Sequence, residues 1–295
     1  MKKRIFLSSV LAIIIFLPIA YDRIPIPGLT LDLIAKTHHL DAMGDSSSPT
    51  KWLSLGQKHL LDQALAWMGQ NLRCAQEGDE SPPPFTWKDH PPPQGPCDEI
   101  YPVIFGRFGG PGPFELVLHV SGDSELVAHG TMLADEKYVY FTRNRGAFHG
   151  NVIKEMDGGS EAKLFKFSKG PDLLWIAESH HEMEDTPDEP NAYLFMKDGD
   201  TLKQVLAYPC GLNPWQSEDG IWTMLLPQDG RRLLLVTKDV TDKWDDQGQT
   251  KTTVAKITEV FYRWDPSAQK YKVNGPPKIV PEKIWDETKA PETLQ

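Results

Sequence analysis

The feature that most restricts this chain is a succession of short apolar or β-branched runs, many followed by a turn signal, that begins at Phe114. Phe114 to Val120, Tyr138 to Thr142, Leu164 to Phe167, Leu173 to Ala177 and Tyr193 to Met196 have the length and composition of strands. Leu202 to Tyr208, Ile221 to Leu226, Leu233 to Thr237, Val254 to Trp264 and Tyr271 to Val273 extend the series. Asp157-Gly158-Gly159, Asp198-Gly199-Asp200, Asp229-Gly230 and Asp265-Pro266 supply tight turns between them. Parallel pairing needs a long crossover, whereas a tight turn joins antiparallel neighbours. The chain is therefore expected to be mainly β, with an antiparallel meander over residues 114–286 and a polar tail over 287–295.

A weak repeat runs through the second half. Leu173-Leu174-Trp175-Ile176 is followed by an acidic stretch, then by Tyr193 to Met196, a turn and Leu202 to Tyr208. Sixty residues after Leu173, Leu233-Leu234-Leu235-Val236 opens the same order, closed by the strands ending at Trp264 and Val273. Phe114 to Phe167 reads as a third, degraded copy. The order is propeller-like, but two or three blades do not close a ring, so a twisted sheet, a sandwich or an incomplete propeller is the architecture expected.

Ahead of the strands, the period is helical. Trp52, Leu53, Leu60, Leu61, Leu65, Met68 and Leu72 recur near the 3.6-residue repeat, predicting one amphipathic helix from about Thr50, its N-cap, to Ala75. A proline-rich stretch follows, with Pro82-Pro83-Pro84 and Pro91-Pro92-Pro93 around Trp87, and is expected to be a loop as far as Gly112. Residues 50–113 thus form a helix plus loop region. Residues 21–49 are expected to be a tether, in which Leu31, Leu33, Ile34 and Leu40 make a weak apolar patch able to dock on the domain or on a membrane.

Residues 1–20 carry an address. Lys2, Lys3 and Arg4 precede an apolar run from Ile5 to Ala20, the arrangement of a signal peptide or signal-anchor helix with its positive end held inside. Pro18 stands where a cleavage site wants a small residue, which favours retention as an anchor. As a helix the run rises about 24 Å against about 30 Å of hydrocarbon, so Tyr21 and Arg23 would complete it at the interface. The expected location is the bacterial inner membrane facing the periplasm, or the periplasm itself if the segment is removed. Cys74 and Cys97 bracket the proline-rich loop and are the candidate disulfide in such an oxidising compartment, leaving Cys210 outside the pair.

Without Lys2, Lys3 and Arg4 the chain holds 28 basic residues against 41 acidic ones. A surface of that sign repels phosphate backbones, which excludes nucleic acid as the expected partner and favours a basic protein or a cation. Two acidic segments are the candidates for contact. His180, His181, Glu182, Glu184 and Asp185 combine imidazoles and carboxylates, which suit Zn²⁺, though without the helical HExxH spacing. Asp242, Asp245 and Asp246, with Asp239, resemble a Ca²⁺ loop in composition only. If the two copies are equivalent, these segments leave the sheets at the same edge and their fields add.

No GxSxG elbow or GxxxxGK[ST] loop is present. His119 and His129 flank Ser121-Gly122-Asp123, a proximity that chance supplies easily. The expected function is that of a non-catalytic envelope binding or accessory protein that engages a protein partner through its β domain, with no cofactor. The alternative is a periplasmic hydrolase or metal-dependent enzyme using the His180–Asp185 stretch with Ca²⁺ or Zn²⁺.

Overall fold

The computed structural model describes residues 24–31, 33, 52–74, 100–121, 124–126, 131–133, 136–144, 147–156, 160–167, 170–178, 192–210, 219–228, 231–244 and 250–280. The apolar run Ile5 to Ala20 and the polar tail lie outside them. Among the described residues no helix is long and apolar enough to cross a membrane. The protein is mainly β, with antiparallel sheets and, among the described residues, one long helix. It divides into two compact units: Met1–Arg107 with Gly112–Asp157, and Phe108–Pro111 with Gly158–Gln295.

In the first unit, helix α1 (Leu55–Asn71) is followed by strands β1 (Leu72–Cys74), β2 (Ile100–Gly106), β3 (Glu115–Ser121), β4 (Ser124–Leu126), β5 (Thr131–Leu133), β6 (Glu136–Asn144) and β7 (Ala147–Met156). The main sheet has the order β2-β3-β6-β7, and β1-β4-β5 form a small second sheet. The helix starts later than its apolar period suggests. Ser54 is the N-cap: its Oγ accepts from the Gln57 backbone N–H at 3.2 Å, and Gln57 Oε1 accepts from the Ser54 N–H at 2.9 Å. This reciprocal box satisfies two of the donors that a helix start leaves open, so the helix begins there and not after Thr50. It ends at Asn71 because Leu72 turns extended and enters β1.

Leu60, Leu61, Ala64, Leu65 and Met68 bury one face of α1 among Leu116, Leu118 and Val120 of β3 and Val139 and Phe141 of β6. Trp67 completes the contact edge-on to Phe141, with ring centroids 5.5 Å apart. Beneath it the sheet carries Gly150, where a Cβ would stand 2.7 Å from the Phe141 ring and 2.9 Å from Trp67. A strand glycine marks close approach of another group, here the indole.

Five described strands of this unit, β1, β2, β4, β5 and β7, lie outside the runs expected from sequence, β1 in the stretch expected to be helix. β2 lies in the stretch read as loop; it carries Pro102, is an edge strand among the described residues, and its ladder with β3 is irregular between Ile100 and Val103. β7 carries mostly half-buried side chains in mixed order, so it lacks the alternation that marks a strand in sequence.

The second unit continues with β8 (Ser160–Phe165), β9 (Leu173–Glu178), β10 (Ala192–Asp198), β11 (Thr201–Tyr208), β12 (Asp219–Gln228), β13 (Arg232–Trp244), β14 (Thr250–Asp265), β15 (Lys270–Val273) and β16 (Lys278–Val280). They form two meanders, β8-β9-β10-β11 and β12-β13-β14-β15, with β16 added to β14. Strand order therefore repeats, β9 to β11 corresponding to β13 to β15 as the sixty-residue spacing suggests. Leu173, Trp175, Leu194 and Val205 of one sheet share a core with Leu225, Leu233, Leu235 and Tyr271 of the other. The opposite face of the second sheet holds a separate cluster of Leu226, Leu234, Val236, Ile257 and Val280.

The turn from β14 to β15 is built on Asp265. Its Oδ1 accepts from the Ser267 N–H (2.9 Å), the Ser267 hydroxyl (2.6 Å) and the Ala268 N–H (3.2 Å), and its Oδ2 lies 2.6 Å from Lys272 Nζ. Lys272 first, then these hydrogen bonds, hold the carboxyl below the usual carboxylate range. Gln269 closes the turn at φ +48°.

Two outcomes follow from this packing. Gly150→Ala forces the Trp67 and Phe141 rings apart and should destabilise the protein by about 1–3 kcal/mol, read by denaturant unfolding. Because the folded-state pKa of Asp265 is depressed, its contribution is present above the unfolded value of about 4 and is lost as pH falls through the lower folded value. The melting temperatures of the native protein and Asp265→Asn should differ at neutral pH and converge in strong acid, as calorimetry over a pH series will show.

Candidate functional site

Two polar clusters lie on the sheets. The first is on the β3–β6 pair, on the face opposite α1. With Leu116 opposite Phe141 and His119 opposite Tyr138, the ladder brings Glu115, His119, Glu136, Tyr138, Tyr140 and Thr142 to one side. Glu115 Oε1 accepts from the Tyr140 hydroxyl and the Thr142 hydroxyl, both at 2.9 Å. His119 Nε2 lies 3.1 Å from Glu136 Oε2, and its ring stacks on Tyr138 at 4.5 Å with an 11° interplanar angle. The sequence presents Glu115 and His119 as polar breaks in an apolar strand, yet both are buried.

Acid and base groups in this arrangement have the types that proton transfer uses. A general base, however, must come within hydrogen-bond reach of the proton it takes. His119 is 2% exposed and Tyr138 and Tyr140 are 0% exposed, so a substrate does not reach them in this conformation. The His119 imidazole pairs with Glu136, while Gly122, Asp123 and His129 lie outside the described residues. The cluster acts as a buried hydrogen-bond network that lets polar side chains occupy the sheet.

The second cluster lies in the other unit. Trp175 Nε1–H donates to the Tyr208 hydroxyl at 2.7 Å, joining β9 to the end of β11. Thr223 on β12 donates through Oγ1 to Cys210 Sγ at 3.2 Å. Lys163 Nζ stands 5.9 Å from the Trp175 ring centroid and 2.6 Å from Glu161 Oε1. Burial is the main cause that pushes the Tyr208 hydroxyl and the Cys210 thiol above their ordinary values, and it also lifts Tyr271 to about 12. A thiol shifted in that direction is a poor nucleophile at neutral pH, because the thiolate is the reactive form.

The residues singled out in sequence are distributed as follows. His180, His181, Glu182, Glu184 and Asp185 fall between β9 and β10, outside the described residues. Asp242 is in β13, opposite Thr252 of β14, and Asp239 is opposite Lys256. These two aspartates therefore belong to a strand and not to a loop, because β13 runs to Trp244, past the Thr237 at which the apolar run ends. Asp245 and Asp246 fall in the connection 245–249, outside the described residues, as do Cys97, Ile5 and Ala20. Cys74 is in β1, in register with Ser124. Among the described residues no three histidine, cysteine or carboxylate side chains group to hold a metal.

Sequence reasoning missed the Glu115–Tyr140–Thr142 and Trp175–Tyr208 bonds, which depend on strand register. The one available signal was a glutamate and a histidine at alternate positions of a strand otherwise apolar. No family model matches the chain, and no curated protein or solved structure matches it either.

The Trp175–Tyr208 bond generates a test. Tyr208→Phe keeps the ring but leaves a buried indole N–H without its acceptor, which should cost about 1–3 kcal/mol. Equilibrium urea unfolding of the two proteins measures it, and a loss under a few tenths of a kcal/mol would show that the bond adds nothing.

Proposed function

We propose that this chain is a bacterial envelope protein, held at the inner membrane by residues 1–20, whose β-rich body works by binding a protein partner and not by catalysis. The observation that carries this reading is the β13–β14 hairpin. Its ladder continues through Asp242–Thr252, Lys243–Lys251 and Trp244–Thr250, past Thr241, the residue opposite the first position of β12. Among the described residues this end of the sheet is two-stranded, with Asp242 on β13 and Asp245 and Asp246 in the connection that follows Trp244.

Carboxylates grouped along a hairpin and its connection suit a basic protein surface. Their field steers encounter at long range, and little area needs to be buried for it to act. The net charge of −10 points the same way. The successive four-stranded meanders also support reading the body as an assembly of blade-like sheets, whose loops and arms are the usual places for partner contact.

Replacing Asp242, Asp245 and Asp246 together by Asn tests the reading. Crosslinking and affinity purification of the full-length protein from its own membranes identifies the partner, and titration compares affinities. The triple variant should bind on the order of tenfold or more weakly at low salt, with a flatter salt dependence, since rim charges act through screened electrostatics. Equal affinity and equal salt dependence would sink the assignment of the acidic hairpin.

A further inference from the structure

Residues 24–31 are attached to the first unit. Pro25 forms an antiparallel bridge with Ser54, the Ile26 N–H donates to the Leu53 carbonyl at 2.8 Å, and the Leu53 N–H donates to the Leu29 carbonyl at 2.9 Å. Leu29 and Leu31 pack against the core beneath α1. The first part of the segment read from sequence as a tether is thus fixed to the start of the helix. Prolines and Gly28 make this possible, since they prevent a helix from continuing and leave the backbone free to pair.

The same place carries exposed apolar side chains. Six large hydrophobic residues are exposed among the described residues, and four belong to this region: Ile24 (63%), Leu33 (48%), Trp52 (48%) and Leu55 (46%). The antiparallel bridge puts Ile24 beside Leu55 at the first turn of α1. Single exposed apolar residues are ordinary, but a concentration at one end of one helix asks for an occupant.

Chain length identifies it. The apolar run ends at Ala20, and three residues, Tyr21 to Arg23, separate Ala20 from Ile24, so the two Cα atoms are four chain steps apart. Fully extended, these steps span at most about 14 Å. If Ile5 to Ala20 lies in a bilayer, Ile24 cannot be farther than that from its edge, and the hydrogen bonds to Leu53 bring the start of α1 with it. We propose that the N-terminal end of α1, through Ile24, Trp52 and Leu55, rests in the phospholipid interface, so that the first unit is seated on the membrane and not suspended from it. Trp52 has the amphipathic ring that headgroup regions favour, and Tyr21 and Arg23 lie on the chain between the two parts. This inference rests on the membrane-anchored reading above.

Photocrosslinking of the full-length protein in phosphatidylethanolamine–phosphatidylglycerol vesicles tests it. p-Benzoylphenylalanine is placed at Trp52, at Leu55 in a second variant should the first not fold, and at Gln70 as the control. Gln70 is exposed at the far end of α1, about 22 Å from Leu55 along the helix axis. Phospholipid adducts, scored by mass, should form at position 52 or 55 on the order of fivefold more than at 70, given that separation. A chain that resists alkaline extraction yet gives only protein adducts or none at 52 and 55 overturns the seating alone. A chain released by alkaline extraction overturns the anchored reading, and the seating with it.

Discussion

Burial of both faces of the central strands is the constraint on which the rest of this structure depends. In β3, Leu116, Leu118 and Val120 meet α1, while Glu115, Val117 and His119 on the other face are buried as well. In β9, Leu173 and Trp175 enter the core shared with the next sheet, and Leu174 and Ile176 on the reverse side are 0% exposed. Antiparallel sheets often keep one face in water, so strands like these require a covering layer on each side. That requirement explains why the helix lies flat on one sheet and why the two meanders of the second unit pack face to face. At about 25 cal/mol per Å² of apolar surface removed from water, covering a second face is a large favourable term.

Such burial determines what the polar side chains do. A carboxylate or imidazole inside a sheet is tolerated only with partners of good geometry. Glu115 meets this with two hydroxyls on one oxygen, and His119 with a carboxylate and a stacked phenol ring. Trp175 and Tyr208 satisfy each other in the same way. These groups have the chemistry of catalysts and the surroundings of structural residues. In β13 the apolar run ends at Thr237, and the ladder with β14 continues through polar pairs such as Asp239–Lys256 and Asp242–Thr252.

The strands were legible in sequence wherever an apolar run stood between turn residues. Leu173 to Ala177, Leu202 to Tyr208 and Tyr271 to Val273 lie within β9, β11 and β15 at nearly the same bounds. Strands defined by neighbours were less so. β7 becomes a strand because β6 offers it a ladder, and β2 survives Pro102 because an edge strand can lose a hydrogen bond. Local chemistry also outranked the period at the helix start: Ser54 and Gln57 form the cap that ends the extended segment, and Trp52 falls outside it.

By itself, then, the sequence determined the secondary-structure class, the antiparallel order, the sixty-residue repeat and the acidic balance, because each is a matter of composition, periodicity or turn chemistry between near neighbours. Only tertiary structure decided that Glu115, Tyr140 and Thr142 meet, that Gly150 lies under Trp67, and that residues 24–31 bind the start of α1. These contacts join positions from about 25 to more than 80 residues apart. Nothing in a linear pattern specifies register across such distances; it is set when both faces of a strand must be covered at once.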